Sequence, residues 1–156
     1  MLLSICACNK NTAKPVSAGQ DTITASIDGV SQTFSVKARA MLETNIYPRP
    51  PYTISMTAAA DGAGEPRTLL LVVNSTEPIN AQTYLYNNKD RAQTTSMTYE
   101  EGRAADKYTP TGSNPESIAI TIQAITETGV QGTFSGTLSC NGQVKKVSNG
   151  QFNLAF

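Results

Sequence analysis

The chain contains no histidine and no tryptophan. Without histidine it lacks the commonest general base and the commonest metal ligand. Charge is also scarce. Twelve Lys and Arg balance twelve Asp and Glu, and together they make up 15% of the residues, against about 25% in an average domain. The basic residues are scattered, with Lys145-Lys146 the only adjacent pair. No basic stripe exists to neutralise phosphates, so nucleic acid is not expected as a partner. No apolar run reaches the length of about 18 residues that a membrane-spanning helix needs. There are only three cysteines, Cys6, Cys8 and Cys140. A tetrahedral zinc site built on Cys6 and Cys8 would have to borrow carboxylates. Their C-x-C spacing is not the C-x-x-C of a redox pair, and a disulfide between them would close too small a loop to constrain much. No metal and no cofactor is expected.

Neutral polar residues fill the space that charge leaves. There are 20 Thr and 13 Ser. Threonine is stiff at χ1 and suits a half-buried pleated surface, so this composition favours strands. A chain of 156 residues suits one domain and can bury roughly 70% of the surface its unfolded form exposes.

The hydrophobic period agrees. From residue 22 it is two rather than 3.6. TITASID places Ile23, Ala25 and Ile27 on one face, and Asp28-Gly29 follows as a type I′ hairpin signal. QTFSVKA points Phe34, Val36 and Ala38 inward, and YTISMTA does the same for Tyr52, Ile54, Met56 and Ala58. The unbroken apolar run TLLLVV (68–73) reads as a strand covered on both faces, with Leu70 and Val72 in the core. SIAITIQAI alternates through Ile120 and Ile122. GVQGTFSGTLSC aligns Val130, Phe134, Leu138 and Cys140. Asn141-Gly142 is a second hairpin signal, leading into QVKKV. After Asn149-Gly150, QFNLAF aligns Phe152, Leu154 and Phe156. About eight strands with turn signals between them predict an all-β fold, an antiparallel β-sandwich, with a closed lipocalin-like β-barrel as the alternative. Residues 87–116 read as a long polar loop with one short strand around TTSMTY.

The start of the chain carries a resemblance. LLSICAC is similar to the end of a bacterial lipoprotein signal peptide, whose lipobox sets an aliphatic residue and two small residues before the lipidated cysteine. Ile5, Cys6 and Ala7 before Cys8 fit that pattern, which implies Cys8 as the lipidation site and therefore a membrane anchor. A signal peptide needs a longer apolar run than Met1–Ile5 supplies, so the natural start is expected upstream. Residues 1–8 are then a signal-peptide remnant. The polar NKNTAKPVSAGQ belongs to a flexible tether over 9–21, and 22–156 form a single β domain. No Asp stands directly after Cys8, and no acidic cluster follows it. By the same resemblance this places the protein in the bacterial cell envelope, at the outer membrane facing the periplasm. Asp28-Gly29, Gly132-Thr133-Phe134 and Asn149-Gly150 followed by Phe152 also resemble strand motifs of a family of Bacteroidetes lipoprotein domains. That family has no established activity, so the likeness implies location and fold only.

Little in the sequence points to catalysis. GTFSG around Ser135 is not G-x-S-x-G. Glu100 and Glu101 are neighbours and on a strand point to opposite faces. Asp90, Glu100 and Asp106 would have to converge from the long loop to act as a hydrolytic pair. DGAGE (61–65) is too short for a calcium loop of EF-hand type and reads as a turn. Cys140 reads as an inert buried thiol. The residues suited to binding are Tyr47, Tyr52, Tyr84, Tyr86, Tyr99 and Tyr108, because tyrosine offers flat area and one hydroxyl at low entropic cost; the alternative is that they pack the rim of the core. The expected function is a lipid-anchored, non-enzymatic binding or structural module of unknown ligand, a glycan or peptide being what the tyrosines would suit. The alternative is a carboxylate-based glycan hydrolase.

Overall fold

The computed structural model describes residues 21–44, 52–60, 64–86, 92–102, 106–110 and 117–156. Cys8, the tether as far as residue 20, Tyr47 and Asp90 lie outside them. The regular structure within them is all strand: β1 (Thr22–Ile27), β2 (Val30–Thr44), β3 (Tyr52–Ala60), β4 (Arg67–Ser75), β5 (Thr83–Leu85), β6 (Gln93–Glu101), β7 (Asp106–Pro110), β8 (Ile118–Ile125), β9 (Gly129–Cys140) and β10 (Gln143–Ala155).

Eight strands close into an antiparallel barrel in the order β1-β2-β3-β4-β6-β7-β9-β10 and back to β1, and β8 and β5 are added to it. The expected sandwich is therefore replaced by its barrel alternative. A sandwich needs a break between two sheets, and here β10 pairs with β1 on one edge and β9 on the other. Alternation along a strand is the same in either architecture, so the period could not choose. The outer edge of β9 is shared: β8 pairs along Val130–Gly136 and β7 at Leu138 and Ser139.

Both predicted hairpins form. Ile27 pairs with Val30 across Asp28 (φ 51) and Gly29 (φ 84), and Cys140 pairs with Gln143 across Asn141 (φ 50) and Gly142 (φ 81). Two positive φ values define the type I′ turn, whose twist matches that of the strands it joins. Asn149-Gly150 behaves differently. β10 runs straight through it, with Asn149 at φ 52 and a register shift between Val147 and Gly150. It is a bulge, which needs the same left-handed residue as a turn but inserts one residue without reversing the chain.

The barrel holds a packed core. Ile23, Phe34, Ile54, Met56, Leu69, Leu71, Met97, Ile120 and Leu138 are all fully buried, as the interior of a small barrel requires. Two of the expected core residues are not there: Leu70 is 37% exposed and Val72 is half-buried. In a barrel each strand has one wet face, so the inward set of β4 is Leu69, Leu71 and Val73. Val36 is also exposed rather than inward. Two irregularities between Phe34 and Arg39, with Lys37 at φ 52, turn it out before the alternation resumes at Ala40. The strand expected around TTSMTY forms as β6, nine residues long, and the expected long loop also holds β7. β6 points Thr95, Met97 and Tyr99 inward, and the threonine in that set hides its period.

Two glycines shape one wall. Gly132 pairs with Phe152 and Gly150 with Phe134. Each glycine leaves room for the other strand's ring, and the two rings stack at 6.4 Å between centroids. The GTF and NGQF motifs are two halves of one packing device, an aromatic ring covering a cross-strand glycine.

Candidate functional site

On the outward face of the barrel the register brings neutral polar side chains into line. Thr33 on β2 pairs with Thr24 on β1, Thr24 with Gln151 on β10, and Gln151 with Thr133 on β9. Thr133 in turn pairs with Thr121 on β8, and Thr121 with Thr83 on β5. The inward neighbours of these six residues, such as Phe34, Ala25, Phe152, Phe134, Ile120 and Tyr84, are buried, so the row itself faces out. Five strand-to-strand steps at about 4.8 Å give a row of about 24 Å. The Thr83 and Thr121 hydroxyls are 2.8 Å apart and hydrogen-bonded.

Two shallow grooves flank the row. One, of about 410 Å³, is bordered by Thr22, Thr24, Gln123, Gln131 and Asn153; the other, of about 330 Å³, by Thr121, Ser135 and Asn149. Thr133 and Gln151 border both, and neither groove is lined by any Asp, Glu, Lys or Arg. Each hydroxyl and amide both donates and accepts hydrogen bonds. The β-branched threonines have few rotamers to lose on binding. Such a wall matches a neutral ligand rich in hydroxyl groups, and it offers no counter-charge to an ionic one.

A second polar cluster sits at the end of the barrel where the two hairpins turn. Lys145 reaches inward from β10 and lies 2.7 Å from Glu101 and 3.8 Å from Asp28. Its ammonium stands 5.0 Å from the Tyr108 ring centre and 5.9 Å from that of Tyr99. Tyr99 donates a hydrogen bond to Glu101 (3.0 Å) and Tyr108 donates one to Gln143 (2.9 Å). Burial works to raise the Glu101 carboxyl, but the bonds from Lys145 and Tyr99 outweigh it and hold the group below its ordinary value. The bond to Glu101 raises the Lys145 ammonium, and burial raises the Tyr99 phenol. Every charge here has a partner, so the cluster plugs the barrel end.

The tyrosines divide accordingly. Tyr99 and Tyr108 are buried in the plug, 6.1 Å between ring centres. Tyr84 is fully buried, and its hydroxyl bonds the backbone of Asn80. Tyr52 and Tyr86 are partly buried against the core. The described tyrosines thus contribute chiefly to packing. Glu100 and Glu101 do point to opposite faces: Glu100 lies outside, 3.8 Å from Lys107, and Glu101 faces the plug. Asp106 is exposed. Cys140 is only partly buried rather than enclosed. The polar row itself went unmarked in the sequence, where its sole trace is the abundance of threonine. No known protein family, no curated protein and no solved structure matches this chain.

Proposed function

We propose that the protein is a non-enzymatic binding module of the bacterial envelope, held by a lipid on Cys8, that binds a neutral glycan on the outer wall of its barrel. The observation that carries this reading is the uncharged row from Thr33 to Thr83 with its two grooves. A glycan presents hydroxyls that both donate and accept, as this wall does, and it needs no counter-charge. The barrel interior is filled by side chains, so a ligand has to bind on the outside. Hydrolysis would require two carboxylates facing one another across the bound sugar, and no carboxylate lines either groove. The lipobox-like LLSICAC supports the anchor, and the outer membrane facing the periplasm is the location it suits.

Affinity electrophoresis through gels containing neutral or acidic polysaccharides tests the ligand class. Retardation by at least one neutral polysaccharide, lost in Thr133→Glu while the urea midpoint is unchanged, supports the reading. Retardation by acidic polysaccharides alone overturns it. Fatty-acid labelling of the gene expressed with its upstream region tests the anchor. Label retained in Cys8→Ala would refute the assignment to Cys8.

A further inference from the structure

Among the described residues, β2 has one open strand edge. β2 pairs with β1 only as far as Phe34, but with β3 as far as Thr44. Among the described residues, the side of Arg39–Thr44 away from β3 meets no strand. An edge of this kind presents unpaired backbone donors and acceptors, and it is a template for another strand. It is also apolar in part, since Met41 is 43% exposed and Leu42 is 44% exposed.

The side chains along this edge have a symmetry of their own. Arg39, Met41 and Glu43 alternate along β2, stand on its outward face and are exposed. Neither Arg39 nor Glu43 has an ion-pair partner among the described residues. If two copies of this edge pair antiparallel about Met41, the two methionines meet on the axis. Arg39 then stands opposite Glu43 of the partner subunit, and Glu43 opposite Arg39 of the partner subunit. The pattern Arg-x-Met-x-Glu is self-complementary in charge only in that register. Moving the axis by one residue, to Ala40, sets Arg39 against Met41 of the partner subunit and pairs no charges across the strands except at Lys37, inside the bulge.

We infer that the protein dimerises through antiparallel pairing of β2 with β2 of a second copy, centred on Met41. The contact is isologous, so it closes at two copies and does not propagate. Its length is bounded by the irregular register near Lys37 on one side and by Pro48 and Pro50 in the sequence beyond Thr44 on the other. Lipid anchoring is not required for it, and the glycan-binding wall is a separate surface.

The full chain carrying Cys6→Ser, Cys8→Ser and Cys140→Ser is followed by sedimentation velocity over roughly a hundredfold range of concentration. A monomer–dimer equilibrium is expected. Arg39→Glu should weaken it about tenfold or more, since it sets like charges opposite each other in two places. Glu43→Arg should do the same, and Arg39→Glu/Glu43→Arg should restore dimerisation. A monomer at every concentration overturns the proposal, as does a dimer indifferent to these reversals. Disulfide trapping reads the register directly. In the same background Met41→Cys should cross-link to its own copy, because directly opposed Cβ atoms lie about 5 Å apart. Glu43→Cys should not, because its two copies are offset by four residues, about 13 Å. Cross-linking of both variants alike, or of neither, contradicts pairing about Met41.

Discussion

A methyl group on Gly132 is the most informative small change in this fold. A Cβ built there runs into the Thr121 carbonyl oxygen and comes within 2.6 Å of Cζ of Phe152. The carbonyl belongs to β8, where Thr121 is paired with Thr133, so it cannot turn away without loosening that ladder. The ring cannot swing freely either, since it stacks on Phe134 at 6.4 Å. Overpacking of this kind costs about 1–3 kcal/mol, and a disturbed ladder hydrogen bond adds about 1 kcal/mol. Gly132→Ala should therefore lose about 2–4 kcal/mol in urea unfolding. In a domain of this size that is a fall in Tm of about 5–15 °C. Gly64→Ala is the control: no atom lies within 4 Å of a Cβ there, so its change should stay within about 0.5 kcal/mol. Adding Phe152→Leu to Gly132→Ala relieves the ring contact but not the carbonyl contact, so the double variant should be less unstable than the sum of the singles. If Gly132→Ala is as mild as Gly64→Ala, the reciprocal glycine–phenylalanine packing is refuted.

Three further outcomes follow from the turns and the plug. Asp28 adopts positive φ and accepts a 2.8 Å bond from the Lys146 amide, so Asp28→Ala should cost about 1–3 kcal/mol in urea unfolding, and Asp28→Gly less, because glycine keeps the turn. Lys145→Met leaves Glu101 without its cation and should cost about 1–3 kcal/mol, whereas Lys145→Met/Glu101→Leu should recover most of it. The depressed Glu101 carboxyl stabilises the fold fully above the ordinary glutamate range, and that share is lost as pH falls through its lowered value. Urea midpoints measured from neutral to acid pH should accordingly fall less in Glu101→Gln than in the parent.

Much of the fold was legible because its decisive signals are local. Asp28-Gly29 and Asn141-Gly142 announce type I′ turns, since few other residues tolerate left-handed backbone at both positions. The same kind of dipeptide at Asn149-Gly150 forms no hairpin: a bulge makes an identical local demand, and only the pairing with β1 and β9 tells the two apart. Closure into a barrel is likewise a matter of which edges meet, and an alternating strand does not record its neighbour. Leu70 and Val72 show the limit of a continuous apolar run: β4 is hydrophobic on both faces but covered on one. TTSMTY marks β6 but not its full span of Gln93–Glu101, because threonine occupies both of its faces, and β7 carries no signal of its own. The polar row depends wholly on register across six strands, so threonine-rich composition hints at such a wall without locating it. The tyrosines were visible as residues, and their burial was decided by β5, β6 and β7, the strands hardest to read.

The central claim is that the neutral outer wall of the barrel is where a glycan binds. The most direct measurement is a titration of the isotopically labelled protein with a retained neutral oligosaccharide, followed through its backbone amide resonances. The largest shifts should fall on Thr24, Gln151, Thr133 and Thr121, with Tyr99, Glu101 and Lys145 at the barrel end undisturbed. Shifts concentrated at Tyr99, Glu101 and Lys145, with Thr24, Gln151, Thr133 and Thr121 silent, would contradict it.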